Sequence, residues 1–89
     1  MTDVTMYTTR FCPYCMAARR LLKAKGVDYD EIAVDGDRAL RQKMEQISGQ
    51  RTVPQIWVGE KHVGGFTDLA DLDGRGELDT MLAAAQSQS

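Results

Sequence analysis

The chain has 89 residues, a formal net charge of −2 and 27% charged residues. This length fits one compact domain, so we predict a single domain over residues 1–89 with a frayed end at 86–89. No apolar run approaches the roughly 18 residues of a membrane span, and the N-terminus lacks the basic and apolar segments of a signal peptide. The sequence therefore predicts a cytoplasmic protein, and the weak charge gives no indication of nucleic-acid or membrane binding.

The first half of the chain alternates between strand and helix patterns. Apolar residues alternate over 3–8, which predicts a first strand. Residues 13–25 carry a helical apolar stripe, with Pro13 in the first turn and Gly26 as the stop. Mixed alternation then predicts a second strand at 27–34.

The second half is predicted to begin with a helix, which a β-hairpin then follows. Either Asp35 or Asp37 is expected to cap this helix, which ends near Gly49. Two strands and two short helices are then predicted at residues 54–58, 61–63, about 67–73 and 78–85. The order β-α-β-α-β-β-α-α predicts an α/β protein with a mixed sheet and helices on both of its faces.

The most informative stretch is a Cys-Pro-Tyr-Cys motif, which places Cys12 and Cys15 three positions apart. A disulfide across so short a loop constrains the unfolded chain little, so the pair suits reversible redox chemistry better than structural cross-linking. If Cys12 opens the helix, it faces unpaired N–H groups and the positive end of the helix dipole, which favour the nucleophilic thiolate. Cys15, one turn further on, is then the resolving thiol that attacks a mixed disulfide at Cys12.

Half of a zinc site is the main alternative for such a motif. A tetrahedral zinc site needs two more ligands, whereas the chain offers a single histidine, His62, and no third cysteine. We therefore predict that the protein holds no metal. His62 lies on a predicted edge strand, and we expect no catalytic role for it.

Three motifs, in this order, resemble the dithiol glutaredoxins of the thioredoxin-fold superfamily. They are Cys12-Pro13-Tyr14-Cys15, Thr52-Val53-Pro54 and Gly64-Gly65, and the resemblance extends from about Asp3 to Ala85. It implies a four-stranded thioredoxin-like sheet and a cis peptide bond before Pro54. It also implies a glutathione-dependent enzyme that reduces protein–glutathione mixed disulfides and protein disulfides, with a role in electron transport and cell redox homeostasis.

The same resemblance implies the partners. Glutathione would be the co-substrate, and no cofactor would be bound permanently. Glutathionylated or disulfide-bonded proteins, with ribonucleotide reductase as a family-level example, would be the substrates. We expect the protein to act as a monomer.

The resemblance further implies a glutathione site along the Thr-Val-Pro motif. The backbone of Val53 would pair with the cysteinyl part of glutathione, in the manner of an added β-strand. The glycyl carboxylate would meet Arg41, which is equally compatible with a solvent-exposed helix charge, and Arg51 is a weaker candidate. The γ-glutamyl end would lie at the N-terminus of the third helix, where backbone N–H groups bind carboxylates. The expected contacts are Arg10, Tyr14, Arg41, Thr52, Val53, Pro54, Gly65, Phe66, Thr67 and Asp68.

Two positions depart from the family pattern. Thr9 stands where many members have a lysine, and Arg10 is the neighbouring candidate to supply that charge. Thr67 replaces the first of two acidic residues that often follow the Gly-Gly-x step. Both departures predict weaker or differently oriented binding of glutathione.

Two other functions fit a dithiol protein of this size. One is a thioredoxin-like electron carrier reduced by a flavoprotein reductase, although the Trp-Cys-Gly-Pro-Cys motif of thioredoxins is absent. The other is a non-enzymatic iron–sulfur or metal carrier. Relatives that carry clusters typically have one active cysteine followed by Gly-Phe-Ser, so Pro13 and Tyr14 argue against this function.

Overall fold

The computed structural model describes the backbone of residues 3–87 and the side chains of residues 3–85. Within this range the elements follow the predicted order: β1 (Val4–Thr8), α1 (Pro13–Ala24), β2 (Asp30–Ala33), α2 (Arg38–Ser48), β3 (Gln55–Val58), β4 (Lys61–Gly64), α3 (Phe66–Gly74) and α4 (Glu77–Ser87). None of these helices is long and apolar enough to cross a bilayer. Of the predicted frayed end, 86 and 87 are described as helical backbone and 88 and 89 lie outside the described residues. The assignment of 1–89 to one domain stays a prediction.

The four strands form one mixed sheet in the order β2-β1-β3-β4. β1 runs parallel to β2 and antiparallel to β3, and β3 pairs antiparallel with β4. The parallel pair needs a crossover helix, which is α1, whereas the antiparallel pair β3–β4 needs only the tight turn at 59–60. This topology confirms the predicted thioredoxin-like fold.

Alternating side chains along β1 and β3 divide the core into two layers. The larger layer, on the face covered by α1, α3 and α4, contains the strand residues Val4, Met6, Ile56 and Val58. On the opposite face, Met44 of α2 packs against Tyr7. Because β1 and β3 are antiparallel and Tyr7 pairs with Gln55, the loop after β1 and the loop before β3 leave the sheet at the same edge. These two loops carry the candidate site.

β2 is shorter than the strand predicted at 27–34, because Val27 takes part in the hydrogen bonding that ends α1. Gly26 adopts a left-handed conformation with φ of 68°. The N–H of Val27 then donates to the carbonyl of Leu22 at 3.2 Å, a hydrogen bond typical of helix C-termini. Pairing with β1 consequently begins only at Asp30.

Asp37, rather than Asp35, caps α2. Its Oδ1 accepts a hydrogen bond from the N–H of Leu40 at 3.1 Å. Asp35 instead accepts a hydrogen bond from the backbone N–H of Arg10 at 3.2 Å. Asp37 therefore begins the helix, whereas Asp35 holds the loop that leads to Cys12.

A charged network joins α1 to the sheet beside the end of β1. The guanidinium of Arg19 donates to the carboxylate of Glu31 at 2.6 and 2.8 Å, and the hydroxyl of Thr8 donates to it at 2.9 Å. The hydrogen bonds from Arg19 hold the pKa of Glu31 below its usual range and outweigh the opposing effect of burial. The network therefore holds β2 and α1 together only while Glu31 is ionised.

We expect Glu31→Gln to lower the free energy of unfolding by about 0.5–1 kcal/mol near pH 7, because it removes the charge that Arg19 binds. Folding lowers the pKa of Glu31, so its stabilisation is present above the ordinary value of 4.5 and is lost as the pH falls through the folded value. Urea unfolding of both proteins near pH 7 and near pH 3 measures this difference.

The matched control is Arg20→Gln, which changes the exposed neighbouring arginine on the same helix. This control should differ little from the parent at either pH. A loss of stability in Glu31→Gln that persists undiminished in acid would contradict the proposed role of the ionised pair.

Candidate active site

The candidate site forms where the loop after β1 meets the loop before β3. Cys12 is the N-cap of α1 in an extended conformation, and its Sγ accepts a hydrogen bond from the N–H of Cys15 at 3.2 Å. Pro13 follows at the first helical position, where a backbone N–H is not needed. The predicted place of Cys12 is therefore confirmed: its sulfur faces the N–H groups and the positive dipole end of the helix.

The two thiols have different surroundings. Both cysteines are free, but Cys15 is 0% exposed whereas Cys12 keeps 7% of its surface accessible. Burial raises the pKa of the Cys15 thiol to about 12, and the hydrogen bond with Cys12 adds to the rise. Cys15 is consequently protonated near neutral pH, so Cys12 is the sulfur that can react first.

The loop before β3 faces Cys12 with its backbone. The carbonyl oxygen of Val53 lies 3.7 Å from Sγ of Cys12. The Val53–Pro54 peptide bond is cis, as the sequence predicted, and Pro54 is buried. The described pairing of β1 with β3 reaches only to Gln55, so Val53 lies beyond the end of that ladder.

A groove of about 220 Å³ lies next to the dithiol. Its walls are the loop before β3 and the start of α3. The residues that line it are Tyr14, Gln50, Thr52, Val53, Pro54, Gly65, Phe66, Thr67 and Asp68. The structure thus brings together all the predicted glutathione contacts except Arg10 and Arg41.

Arg10 and Arg41 lie outside the groove lining. Arg10 is exposed, and its backbone N–H is bonded to Asp35. Arg41 borders a separate depression that Asp35 also lines. Its Nη1 donates to the carbonyl oxygen of Arg51 at 3.4 Å, immediately before Thr52. Arg41 therefore contacts the backbone that leads into the groove wall.

The N-terminus of α3 is capped by its own third residue. Oδ2 of Asp68 accepts a hydrogen bond from the N–H of Gly65 at 3.0 Å. Gly64 precedes it with φ of 114°, and a Cβ at this position would collide with the Asp68 carboxylate. The N–H of Gly65 is thus occupied, which leaves the N–H groups of Phe66 and Thr67 as the first-turn donors for a ligand.

Two glutamines that the sequence did not predict belong to the site. Gln50 lines the groove, and Gln55, the first residue of β3, is fully buried. Nε2 of Gln55 donates to the carbonyl oxygen of Thr52 at 2.9 Å and to Oε1 of Gln50 at 3.0 Å. The sequence did contain a signal for Gln55, which is a polar residue in an otherwise apolar strand. A buried amide requires hydrogen-bond partners, so such a residue indicates a specific contact.

The surface around Cys12 is apolar. Among the described residues, the large hydrophobic side chains that remain most exposed include Phe11 at 90%, Tyr14 at 62% and Met16 at 48%. All three lie within four positions of Cys12, and Tyr14 also lines the groove. Apolar side chains clustered in this way usually mark a contact surface.

A reachable thiol at the start of a helix, with a second thiol one turn behind it, can perform thiol–disulfide exchange. On a thioredoxin-like sheet this arrangement defines an oxidoreductase of the thioredoxin-fold class. Comparison with known proteins narrows the class further, because the family model for glutaredoxin matches residues 4–63. The chain belongs to the glutaredoxin family, whose members are thiol–disulfide oxidoreductases.

Individual relatives agree with this assignment. The chain is 58% identical over 83 residues to a glutaredoxin of Neisseria meningitidis, which covers 92% of this chain and 98% of that protein. It is 52% identical over 84 residues to a glutaredoxin of Pseudomonas aeruginosa, with coverage of 94% and 100%. A crystal structure of a buckwheat glutaredoxin–glutathione complex matches with a TM-score of 0.89 at 28% identity, over 96% of this chain and 80% of that one.

We expect Gly64→Ala to lower the free energy of unfolding by about 1–3 kcal/mol, because the new Cβ meets the Asp68 carboxylate in a backbone conformation that disfavours L-residues. Gly74→Ala is the matched control, since Gly74 is the last residue of α3, with open space around it and no positive φ. This control should be neutral or stabilising by up to about 1 kcal/mol. Urea unfolding distinguishes the two variants, and equal effects would contradict the steric explanation.

We expect a haloacetamide to leave Cys15 unmodified in the folded protein at neutral pH, because this thiol is buried and its pKa is raised to about 12. Peptide mass mapping after alkylation should find the label on Cys12. Unfolding in urea should expose both cysteines, which serves as the control for complete labelling. Labelling of native Cys15 at a rate close to that of Cys12 would contradict the inequality of the two thiols.

Proposed function

We propose that the protein is a glutathione-dependent oxidoreductase that reduces protein–glutathione mixed disulfides. The observation that carries this proposal is the position of Cys12, which lies against Val53 next to a groove lined by all the residues expected to bind glutathione except Arg10 and Arg41. The matching buckwheat glutaredoxin is a glutathione complex, which supports the same ligand here.

Glutathione would lie along the groove as a short extended peptide. The backbone of Val53, beyond the end of the strand ladder, would pair with its cysteinyl unit. The N–H groups of Phe66 and Thr67 would bind the γ-glutamyl carboxylate at the start of α3. Asp68 keeps a second carboxylate oxygen for the ammonium group, since Oδ2 is the atom that caps Gly65. The opposite end of glutathione would then point toward Arg51 and Arg41.

The first step is an attack of the Cys12 thiolate on the glutathione sulfur of the mixed disulfide. A new disulfide forms between Cys12 and glutathione, and the substrate protein leaves as a thiolate that takes a proton from solvent. A second glutathione, as its thiolate, then attacks the glutathione sulfur bound to Cys12. Glutathione disulfide departs and the Cys12 thiolate is regenerated. In total one glutathione thiol is oxidised, and its sulfur replaces the protein sulfur in the disulfide.

Cys15 is needed only for a second reaction. With a protein disulfide as substrate, the sulfur of Cys15 displaces the substrate from Cys12, and two glutathione molecules then reduce the Cys12–Cys15 disulfide. Cys15 must first lose a proton from a buried thiol, and burial raises the pKa of that thiol. Release by glutathione from solution avoids that step, so the geometry favours mixed disulfides with glutathione as the main substrate.

The exposed apolar side chains indicate a protein as the second half of the substrate. Any disulfide partner must come within bonding distance of Cys12 and would cover Phe11 and Met16, which line no part of the groove. A glutathionylated protein could fill both regions at once, with glutathione in the groove. Ribonucleotide reductase as a substrate, the cytoplasmic location and the monomeric state stay predictions from the sequence.

We expect Cys15→Ser to retain most of the glutathione-dependent turnover of a glutathionylated peptide, because the two-step route uses only Cys12. Cys12→Ser should lose that turnover by at least a factor of roughly 10³, since no other reachable thiolate remains. Coupled assays that follow formation of glutathione disulfide measure both variants. Retained turnover in Cys12→Ser would overturn the proposal.

The source of electrons is the second part of the same test. Glutathione with glutathione reductase should support turnover of the parent protein. NADPH with a thioredoxin reductase, and no glutathione, should not. The reverse result would assign the protein to the thioredoxin-like carriers.

A further inference from the structure

We infer that the side-chain NH2 group of Gln50 binds an oxygen of glutathione in the groove, and that His62 and Gln55 are positioning residues that fix this orientation. The inference rests on the proposed function for its ligand. It assigns a binding role to a residue outside the three motifs and a supporting role to a histidine on the outer strand of the sheet.

The orientation of the Gln55 amide is determined by its neighbours. One end of this buried amide lies 2.9 Å from the carbonyl oxygen of Thr52, which can only accept a hydrogen bond. That end must therefore be the nitrogen, Nε2. The same nitrogen lies 3.3 Å from Oγ1 of Thr52, so one amide contacts both the carbonyl oxygen and the hydroxyl of this groove residue.

The orientation of Gln50 follows from that of Gln55. Nε2 of Gln55 lies 3.0 Å from the Gln50 side chain, so the contacting atom of Gln50 must be an acceptor, Oε1. The group that Gln50 can offer a ligand is consequently its NH2, with two N–H donors. Gln50 is exposed and lines the groove, so these donors are available at the surface where glutathione would lie.

His62 completes the relay from the opposite side. Oε1 of Gln55 can only accept, and it lies 2.7 Å from Nε2 of His62, which must therefore carry the hydrogen. Both the neutral Nε2–H tautomer and the imidazolium satisfy this contact. The ring is held by Trp57, whose centroid lies 4.6 Å away at an interplanar angle of 35°.

The chemistry of the NH2 group selects the ligand atom. Two N–H donors recognise carboxylate or carbonyl oxygens, and glutathione carries carboxylates at both ends. Gln50 immediately precedes Arg51, whose carbonyl oxygen is bound by Arg41. It therefore lies next to Arg51 and Arg41, toward which the glycyl carboxylate is expected to point.

Gln50→Glu is the sharpest test, because its carboxylate still accepts from Gln55 but replaces the two donors with a negative charge. We expect KM for a small glutathione mixed disulfide to rise by roughly tenfold or more, the size typical of a lost hydrogen bond to a charged group. The value of kcat should change less than twofold. Gln50→Ala should raise KM by a smaller factor, also with kcat preserved.

The relay is tested by a double-mutant cycle. His62→Phe keeps a ring against Trp57 but removes the donor, so it should raise KM in the same direction as Gln50→Ala. Adding His62→Phe to Gln50→Ala should raise KM by a smaller factor than His62→Phe does in the parent protein, because part of its effect is transmitted through Gln50. His62→Gln, which restores a donor, should keep KM near the parent value. Ile56→Val, which changes the next residue of β3 on the opposite face of the sheet, is the control for general loss of stability.

The outcomes separate this inference from the proposed function. A parent protein without glutathione-dependent turnover would overturn the proposed function, and the relay would then be tested by hydrogen exchange of the backbone amides at 50–53, which His62→Phe should accelerate. A parent with turnover but an unchanged KM in Gln50→Glu would overturn the binding role of Gln50. Additive KM effects of His62→Phe and Gln50→Ala would overturn the relay.

Discussion

The contact on which the rest of the site depends is the 3.2 Å hydrogen bond from the N–H of Cys15 to the sulfur of Cys12. A serine or aspartate in this position would be an ordinary helix cap, but a cysteine turns the same capping geometry into a reactive centre. The cap requires an extended residue followed by a helix, and Pro13 satisfies both demands because its fixed φ suits the first turn and it needs no hydrogen-bond partner. The sheet supplies the remainder, since the antiparallel pairing of β1 with β3 brings the backbone of Val53 to the same sulfur.

The same helix also makes the two cysteines unequal. The first residue outside a helix remains at the edge of the structure, whereas a residue one turn in points toward whatever the helix packs against. Cys15 is therefore sealed against the sheet, and its thiol keeps its proton. Arg19, one turn further along, favours ionisation of Cys15, but Glu31 binds that arginine and partly offsets its charge. Burial, together with the hydrogen bond to Cys12, thus makes the second thiol of the motif much less acidic than an ordinary cysteine.

The sequence predicted the features that depend on local chemistry. The order of the elements, the cap at Cys12, the stop at Gly26 and the break at 74–76 each follow from a residue acting on its neighbours. Features that depend on distant contacts were less accessible. The strand at 27–34 begins late because Val27 completes the end of α1, and the position of Arg41 is set by a backbone carbonyl ten residues away. Gln55 was overlooked because its burial depends on the pairing of β3 with its neighbouring strands. Gln50 and Thr52 are near it in sequence, but His62 reaches the amide only when β3 and β4 have paired.

Gln55 also shows why a small redox protein keeps a polar group in its sheet. An apolar side chain at this position would pack well, but it would remove the hydrogen bonds that hold Gln50 and Thr52 to the start of β3. The buried amide instead binds the loop before β3 at several points. Each of these hydrogen bonds is costly to break, because a buried amide that loses its partner cannot bond to water instead. The conformation of the groove wall therefore depends on a side chain that is buried in the sheet. Cys12 needs such a wall, because exchange between two sulfurs requires that the incoming disulfide be held in line with the attacking thiolate, and a mobile loop could not maintain that alignment.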